Sequence, residues 1–190
     1  MAQATVKIRK TIRLRDILLR LAALSVAVSV CVVIFAYREY VTALGEYGYL
    51  GAFLVSVISS AAVVVPVPGL VIIFALGAVL NPWLVGLVSG LGSTLGETSG
   101  YLLGYSGRGV IENTGLYRRV EGWVRRRGPV ALFLLAIIPN PVFDIAGAAA
   151  GAVRMPFWKF LVYGGAGRTI KHTLFALAGA WGMGFVAQLL

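Results

Sequence analysis

Residues 47–96 read YGYLGAFLVSVISSAAVVVPVPGLVIIFALGAVLNPWLVGLVSGLGSTLG, a run of 50 residues without Asp, Glu, Lys or Arg. As one continuous helix this run would extend about 75 Å, at about 1.5 Å per residue. A bilayer's hydrocarbon core is only about 30 Å thick, so the run has to turn back on itself. The turning points are written in proline. Pro66-Val67-Pro68-Gly69 interrupts the first part and Asn81-Pro82 the second, and proline both removes a donor and clashes with the preceding turn. Between the breaks, Gly51 to Val65 makes about 22 Å of helix and Leu70 to Leu80 about 16 Å, the latter too short to span. The reading is a re-entrant hairpin over 51–80 that enters and leaves by one side. Pro82 then opens a transmembrane helix over 82–105.

The rest of the chain has the same character. Its 190 residues are 59% hydrophobic and 13% charged, with a mean hydropathy of +0.88, whereas soluble chains carry about 25% charged residues. Residues 21–37, 128–143 and 173–190 are also free of charge. This composition predicts an all-α integral membrane protein of one domain. The net charge of +10 gathers in two blocks, Lys7 to Arg20 and Arg108 to Arg127, each beside an apolar run. That pattern fits cytoplasmic loops under the positive-inside rule and argues against nucleic acid as a partner. The order that follows is a basic cytoplasmic N-terminus over 1–16, a first transmembrane helix over 17–37, and a single membrane domain over 38–190. A secretory signal peptide fits less well, because 21–37 exceeds an h-region and no small-x-small site follows. Cys31 is the only cysteine, which excludes an intrachain disulfide.

The second half repeats the grammar of the first. Pro139-Asn140-Pro141 corresponds to Pro66-Val67-Pro68, and Gly151 to Phe157 corresponds to Gly77 to Trp83, at internal offsets that differ by a single position. A second re-entrant hairpin over 128–153 and a C-terminal transmembrane region over 156–190 follow. A hairpin crosses zero times and its helix once, so the two units start on opposite sides and form an inverted repeat. With the N-terminus in the cytoplasm, the arginines of the linker 106–127, together with Arg154 and Lys159, fall inside. Only Arg38 is left outside, which agrees with the charge rule. The linker carries Tyr117, Val120 and Trp123 among its arginines and reads as an amphipathic helix on anionic inner-leaflet lipids. The localisation expected is a prokaryotic plasma (inner) membrane.

Few residues here carry chemistry. Gly92, Gly96, Gly100 and Gly104 recur at every fourth position and read as one close-packing stripe. Glu97 lies about 22 Å along its helix from Pro82, and Arg168 about 18 Å along the last helix from Pro156. A charge at such depth is costly unless paired or facing water, so an ion pair between the repeat units is expected. Asp144 follows the second proline break, where a half-helix begins and free amides can face an anion. Lys171 and His172, the only histidine, follow Arg168 within one turn, with snorkelling toward the outer interface as their plain reading. The candidate transport residues are thus Glu97, Asp144, Arg168, Lys171 and His172. Pro66, Pro68, Gly69, Pro139, Asn140 and Pro141 form the hairpin breaks, expected to meet near the bilayer centre. No catalytic or metal-binding pattern, and no cofactor, is indicated.

These motifs together resemble the DedA family, also called the VTT-domain or SNARE-associated Golgi protein family. The first-half likeness lies in Pro66-x-Pro68-Gly69, Gly77 and Gly96-Glu97-x-x-x-Tyr101-x-x-Gly104. The second-half likeness lies in Pro139, Ala150-Gly151, Met155, Phe160 and Gly167. Leu70 stands where many DedA proteins have an acid, and Ile137 and Phe143 stand where they carry arginines. Asn140-Pro141-x-x-Asp144 looks more like the VTT branch. The resemblance implies facing re-entrant hairpins and movement of lipids between leaflets, as a phospholipid scramblase or a polyprenyl-phosphate flippase. Membrane lipids, including a phosphate-bearing substrate, are the partners it implies, and a homo-oligomer is left open.

Three rival classes compete on the residues, the third of them a pure assembly or scaffolding role that would not explain the cost of intramembrane charges. An intramembrane hydrolase would have to rely on His172, and Gly96-Glu97-Thr98-Ser99-Gly100 has no nucleophile spacing, so an enzyme is not expected. An ion- or proton-coupled small-solute transporter is the nearer alternative. A groove open sideways to lipid favours the lipid reading and a closed central cavity favours the solute.

Overall fold

The computed structural model describes Ser25, Ser29 and residues 32–34, 36–43, 45–61, 69–107, 115–138 and 142–189, without the side chains of Arg38, Leu116, Val142, Asp144 and 183–189. The basic N-terminus 1–16, most of the expected first span 17–37, and Pro66, Pro68, Pro139, Asn140 and Pro141 lie outside the described residues. Every regular element among the described residues is helical.

Helix α1 (Arg38–Ala43) turns at Gly45, whose φ of +50° suits a residue without Cβ, into α2 (Glu46–Ala61). The next helix, α3 (Gly69–Val79), folds back along α2. At one end of the pair Gly48 lies against Leu80, and at the other Gly69 lies against the Ser59 side chain. The Asn81 N–H also donates to the Tyr49 hydroxyl at 3.3 Å. The start of α2 and the end of α3 are therefore neighbours, as an antiparallel hairpin requires. The helix begins at Glu46, more than a turn before the expected boundary at Gly51. That glycine has open space around it and sits inside the helix without ending it.

Helix α4 (Pro82–Tyr105) covers the range expected for the first helix after a hairpin. Asn81 caps it, its side-chain oxygen accepting from the N–H groups of Trp83 at 3.0 Å and Leu84 at 3.4 Å. Pro82 occupies the first turn, where its missing donor costs nothing. The expected linker 106–127 contains α5 (Gly115–Arg127), a two-faced helix. Its Val120 and Val124 are buried, while Arg118, Arg119 and Arg125 to Arg127 face outward. Then come α6 (Pro129–Ile137), α7 (Val142–Ala152), a short α8 (Phe157–Lys159), a π-helical turn (Phe160–Gly164) and α9 (Gly165–Leu189).

The two halves pack reciprocally. Gly77 of α3 abuts the backbone of Ala176 on α9, and Gly179 of α9 abuts the carbonyl oxygen of Phe74. In the other half Gly151 of α7 abuts the carbonyl oxygen of Tyr101 on α4, and Gly104 abuts that of Ala148. Each hairpin's second arm thus lies on the long helix of the opposite half. Phe74 pairs with Ala148, and Gly77 with Gly151, at one common offset along the chain. Tyr101 pairs with Ala176, and Gly104 with Gly179, at an offset longer by a single position. The π-helical turn accounts for the difference, since such a turn accommodates one inserted residue within a helix. The long helices themselves run antiparallel: Gly86 meets Thr173, Gly90 meets Thr169, and Gly165 meets Thr94.

The glycine stripe is divided among partners. Gly92 and Gly96 receive the carbonyls of Phe53 and Val57 on α2, Gly104 receives α7, and Gly100 has only the Glu97 carboxylate near it, on its own helix. A second row, Gly86 and Gly90, faces α9. This surrounds α4 with backbone on several sides and makes it the central helix.

Among the described residues no helix is long and apolar enough to cross a membrane. Helices α4 and α9 have 24 and 25 residues, about 36 and 38 Å, so length is not what they lack. Their apolarity is lowered by residues they bury. Ser89, Ser93, Thr94 and Glu97 on α4, with Arg168, Lys171 and His172 on α9, are all buried, while Leu84, Leu87, Leu91, Leu95, Leu102 and Leu103 on α4 are exposed.

Candidate site: a buried ion pair where the halves meet

Arg168 leaves α9 beside the stretch of α4 bracketed by Gly90 and Thr94. Its side chain runs along α4, past Ser93, to Glu97. Nη2 meets Glu97 Oε2 at 2.5 Å, and the two residues are 4% and 3% exposed. Nη1 donates to the Ser60 hydroxyl at 3.0 Å, to the Ser93 carbonyl at 3.3 Å and to the Ser93 hydroxyl. The two serine hydroxyls lie 2.8 Å apart. The Phe143 ring centroid is 4.3 Å from the guanidinium carbon, within cation–π range.

Four helices build this site. Ser60 comes from the last turn of α2, Ser93 and Glu97 from α4, Phe143 from the first turn of α7, and Arg168 from α9. Ser60 and Phe143 flank the two proline breaks, so the inner ends of both hairpins reach one guanidinium. Gly147 of α7 faces Glu97: a Cβ there would lie 2.9 Å from Oε1. A glycine at 147 thus leaves the carboxylate its place.

The pair is held rather than exposed. Taking two charges out of water is costly, and only good geometry and further hydrogen bonds offset it. Both conditions are met at the terminal nitrogens. Arg168 Nε, by contrast, has no hydrogen-bond partner among the described residues, and neither does His172 Nδ1 or the Ser59 and Ser89 hydroxyls.

The residues singled out from sequence fall into three groups. Glu97 and Arg168 touch. Lys171 and His172 are buried on the next turn of α9, so neither reaches an interface by snorkelling. Asp144 belongs to α7, but its side chain lies outside the described residues, as do all the break residues except Gly69, which opens α3. Ser60, Ser93 and Gly147 were not singled out, and Phe143 only as a position where many DedA proteins carry an arginine. Two serines in apolar runs carry no signal of charge, and Phe143 resembles any core aromatic. The internal repeat holds one trace: at the longer offset that applies past the π turn, Ser93 corresponds to Arg168 and Glu97 to His172. The polar positions of one long helix therefore mark those of the other.

Among the described residues no three His, Cys, Asp or Glu side chains gather as metal ligands. The arrangement can hold an anion against a guanidinium or exchange a carboxylate for one, with hydroxyls on the flank.

Comparison with known proteins bears on the same region. The VTT domain family model matches residues 67–181. The vacuole membrane protein 1 homolog of Dictyostelium discoideum is 38% identical over 53 residues, which is 28% of this chain and 13% of that protein's length. No solved structure matches the chain. The family match covers well over half of the sequence and encloses Ser93, Glu97, Phe143 and Arg168, and the chain belongs to the VTT-domain family.

Proposed function

We propose that this is an integral membrane protein that moves a phosphate-bearing lipid between leaflets without chemical change. The observation that carries the reading is the buried Arg168–Glu97 pair, set between Ser60 in the last turn of α2 and Phe143 in the first turn of α7.

The membrane setting rests on polarity arranged inside out. The outward row of leucines on α4 ends in Trp83, 65% exposed, and Tyr105, 53% exposed. These aromatics stand about 33 Å apart along the helix, close to a hydrocarbon core of about 30 Å, and aromatic residues favour both of its interfaces. The Dictyostelium relative is named for a membrane. In this reading the hairpins 46–79 and 129–152 are re-entrant, α4 and α9 cross, residues 17–37 add a first span, and the N-terminus is cytoplasmic. The exposed arginines of α5 rest on anionic inner-leaflet lipids.

Within that setting Arg168 offers what a phosphate needs, a planar fork of donors with Nε uncommitted among the described residues. A lipid phosphate entering between the hairpin ends exchanges with the Glu97 carboxylate while the chains remain in the bilayer. Lys171 adds positive charge on the same helix. Asp144 belongs to the helix that supplies Phe143.

The test is leaflet exchange. Purified full chain in liposomes should speed exchange of fluorescent phospholipid or polyprenyl phosphate over protein-free vesicles, and Arg168→Ala should remove most of the gain. If neither lipid exchanges faster while a small ion or solute is taken up, the ion- or proton-coupled solute transporter replaces this reading.

A further inference from the structure

Among the described residues, a pair of grooves on the outside of the bundle is related by the internal repeat. One, of about 460 Å³, is lined by Thr98, Leu102 and Phe157. The other, of about 370 Å³, is lined by Thr173, Leu177 and Trp83 at the corresponding positions. Thr98 and Leu102 match Thr173 and Leu177 at the longer of the two offsets, and Trp83 matches Phe157 at the shorter. The grooves are alike in position but not in chemistry. The second is apolar, and no charged residue lines it among the described residues. The first has Arg154 at its rim, beside Tyr101 and Tyr105, and no carboxylate lines it among the described residues. Leu80 occupies the place of Arg154 in the other half.

Arg154 is held in an unusual way. Its φ of +52° makes it the one non-glycine residue at positive φ among the described residues. It ends α7 where glycine is the usual occupant, with its N–H donating to the Gly151 carbonyl at 2.9 Å and that of Met155 to Ala150 at 3.0 Å. The Tyr101 hydroxyl fixes the turn from α4 by donating to the Met155 carbonyl at 2.6 Å. The guanidinium carbon lies 5.9 Å from the centroid of Tyr105, at the end of α4 that leads into the arginine-rich α5. The chain thus spends a strained backbone conformation on a cation that its counterpart groove lacks.

We infer that this groove is a binding site for an anionic phospholipid of the inner leaflet, the phosphate on Arg154 and an acyl chain along Leu102 and Phe157. A mostly apolar groove with a single cation in its lining matches an amphiphile, and Tyr105 and Trp158, both exposed, mark the headgroup level. An anionic headgroup is favoured because the rim is cationic and no acid among its described residues offsets it. The inference rests on the membrane reading but not on translocation, since a lipid can bind here without crossing.

Thermal unfolding of the full chain in detergent tests it, with dioleoyl phosphatidylglycerol, dioleoyl phosphatidylcholine and inorganic phosphate as probes. Phosphatidylglycerol should raise the midpoint, and the other two should do so far less. Arg154→Gly relieves the positive φ, so the lipid-free protein should remain as stable as the parent while its apparent affinity for phosphatidylglycerol falls about tenfold. Leu102→Trp, which fills the groove and leaves the cation, should lower it likewise. Lipid held only by the arginines of α5 would be insensitive to both variants, and that result overturns the inference. Equal stabilisation by phosphatidylcholine or by inorganic phosphate overturns it too. Binding that depends on Arg154 without any leaflet exchange would instead defeat the translocation reading and leave the groove standing.

Discussion

Arg168 reaches Glu97 along the axis of α4 rather than straight across it. Arg168 leaves its helix near the level of Gly90 to Thr94, yet its Nη2 ends 2.5 Å from the Glu97 carboxylate. The extended side chain passes Ser93 and lies under Phe143 on the way, so one residue ties α2, α4, α7 and α9 together. Neutralising one partner leaves a buried charge uncompensated. We therefore expect Glu97→Gln and Arg168→Gln each to cost about 3–5 kcal/mol, and the double variant to cost clearly less than the sum. Unfolding in detergent measures all four corners of the cycle, and strictly additive losses would show that the two sites are not coupled.

The glycines make a second prediction because they differ in what surrounds them. Gly104 and Gly179 each face a carbonyl oxygen of a crossing helix, whereas Gly51 has nothing within 4 Å. Gly104→Val and Gly179→Val should destabilise by similar amounts, about 1–3 kcal/mol or more from overpacking. Gly51→Ala should stabilise by up to about 1 kcal/mol through helix propensity. Melting midpoints of the three variants decide it. A large loss at only one of the paired glycines would mean that the two crossings are not equivalent.

Much of this was legible because the strongest signals are local. A charge-free run of 50 residues and the Asn81-Pro82 pair mark where α4 starts, and Asn81 indeed caps it. The contact of Glu97 with Arg168 follows from the cost of leaving either alone in an apolar bundle. What sequence could not supply is which helix faces which. Gly92, Gly96 and Gly104 look like one stripe, yet α2 takes the first two and α7 the third. Ser60 became a site residue only through the fold, and Ser93 is marked in the sequence only as the repeat counterpart of Arg168. The π turn at Phe160–Gly164 has no propensity signature either, and shows in the sequence only as a slip of the repeat offset by a single position.

That slip yields a third prediction. Deleting one residue inside the π turn, such as the exposed Val162, should return the segment to α-helix and leave the packing of α9 in register. Deleting Leu174, well inside α9, should rotate everything beyond it by about 100°. The first deletion should keep most of the melting temperature and the second should not. Equal damage from both would show that the π turn is not an inserted residue.

The last prediction separates charge from shape at position 168. Arginine presents two terminal nitrogens in a fixed plane, and both are used: Nη2 on Glu97, Nη1 on the hydroxyls of Ser60 and Ser93. Lysine keeps the positive charge but concentrates it at one nitrogen on a flexible stem. Arg168→Lys should therefore leave Glu97 compensated and recover much of the stability that Arg168→Gln loses. It should not restore the fork that meets carboxylate or phosphate through parallel donors. Lipid exchange in liposomes is then expected to stay well below that of the parent, several-fold at least, although the protein is folded. The two measurements have to be made on the same preparation, with the melting midpoint first. Full exchange by a stable Arg168→Lys variant would show that only charge matters at this position and would remove the planar recognition of phosphate from the proposal.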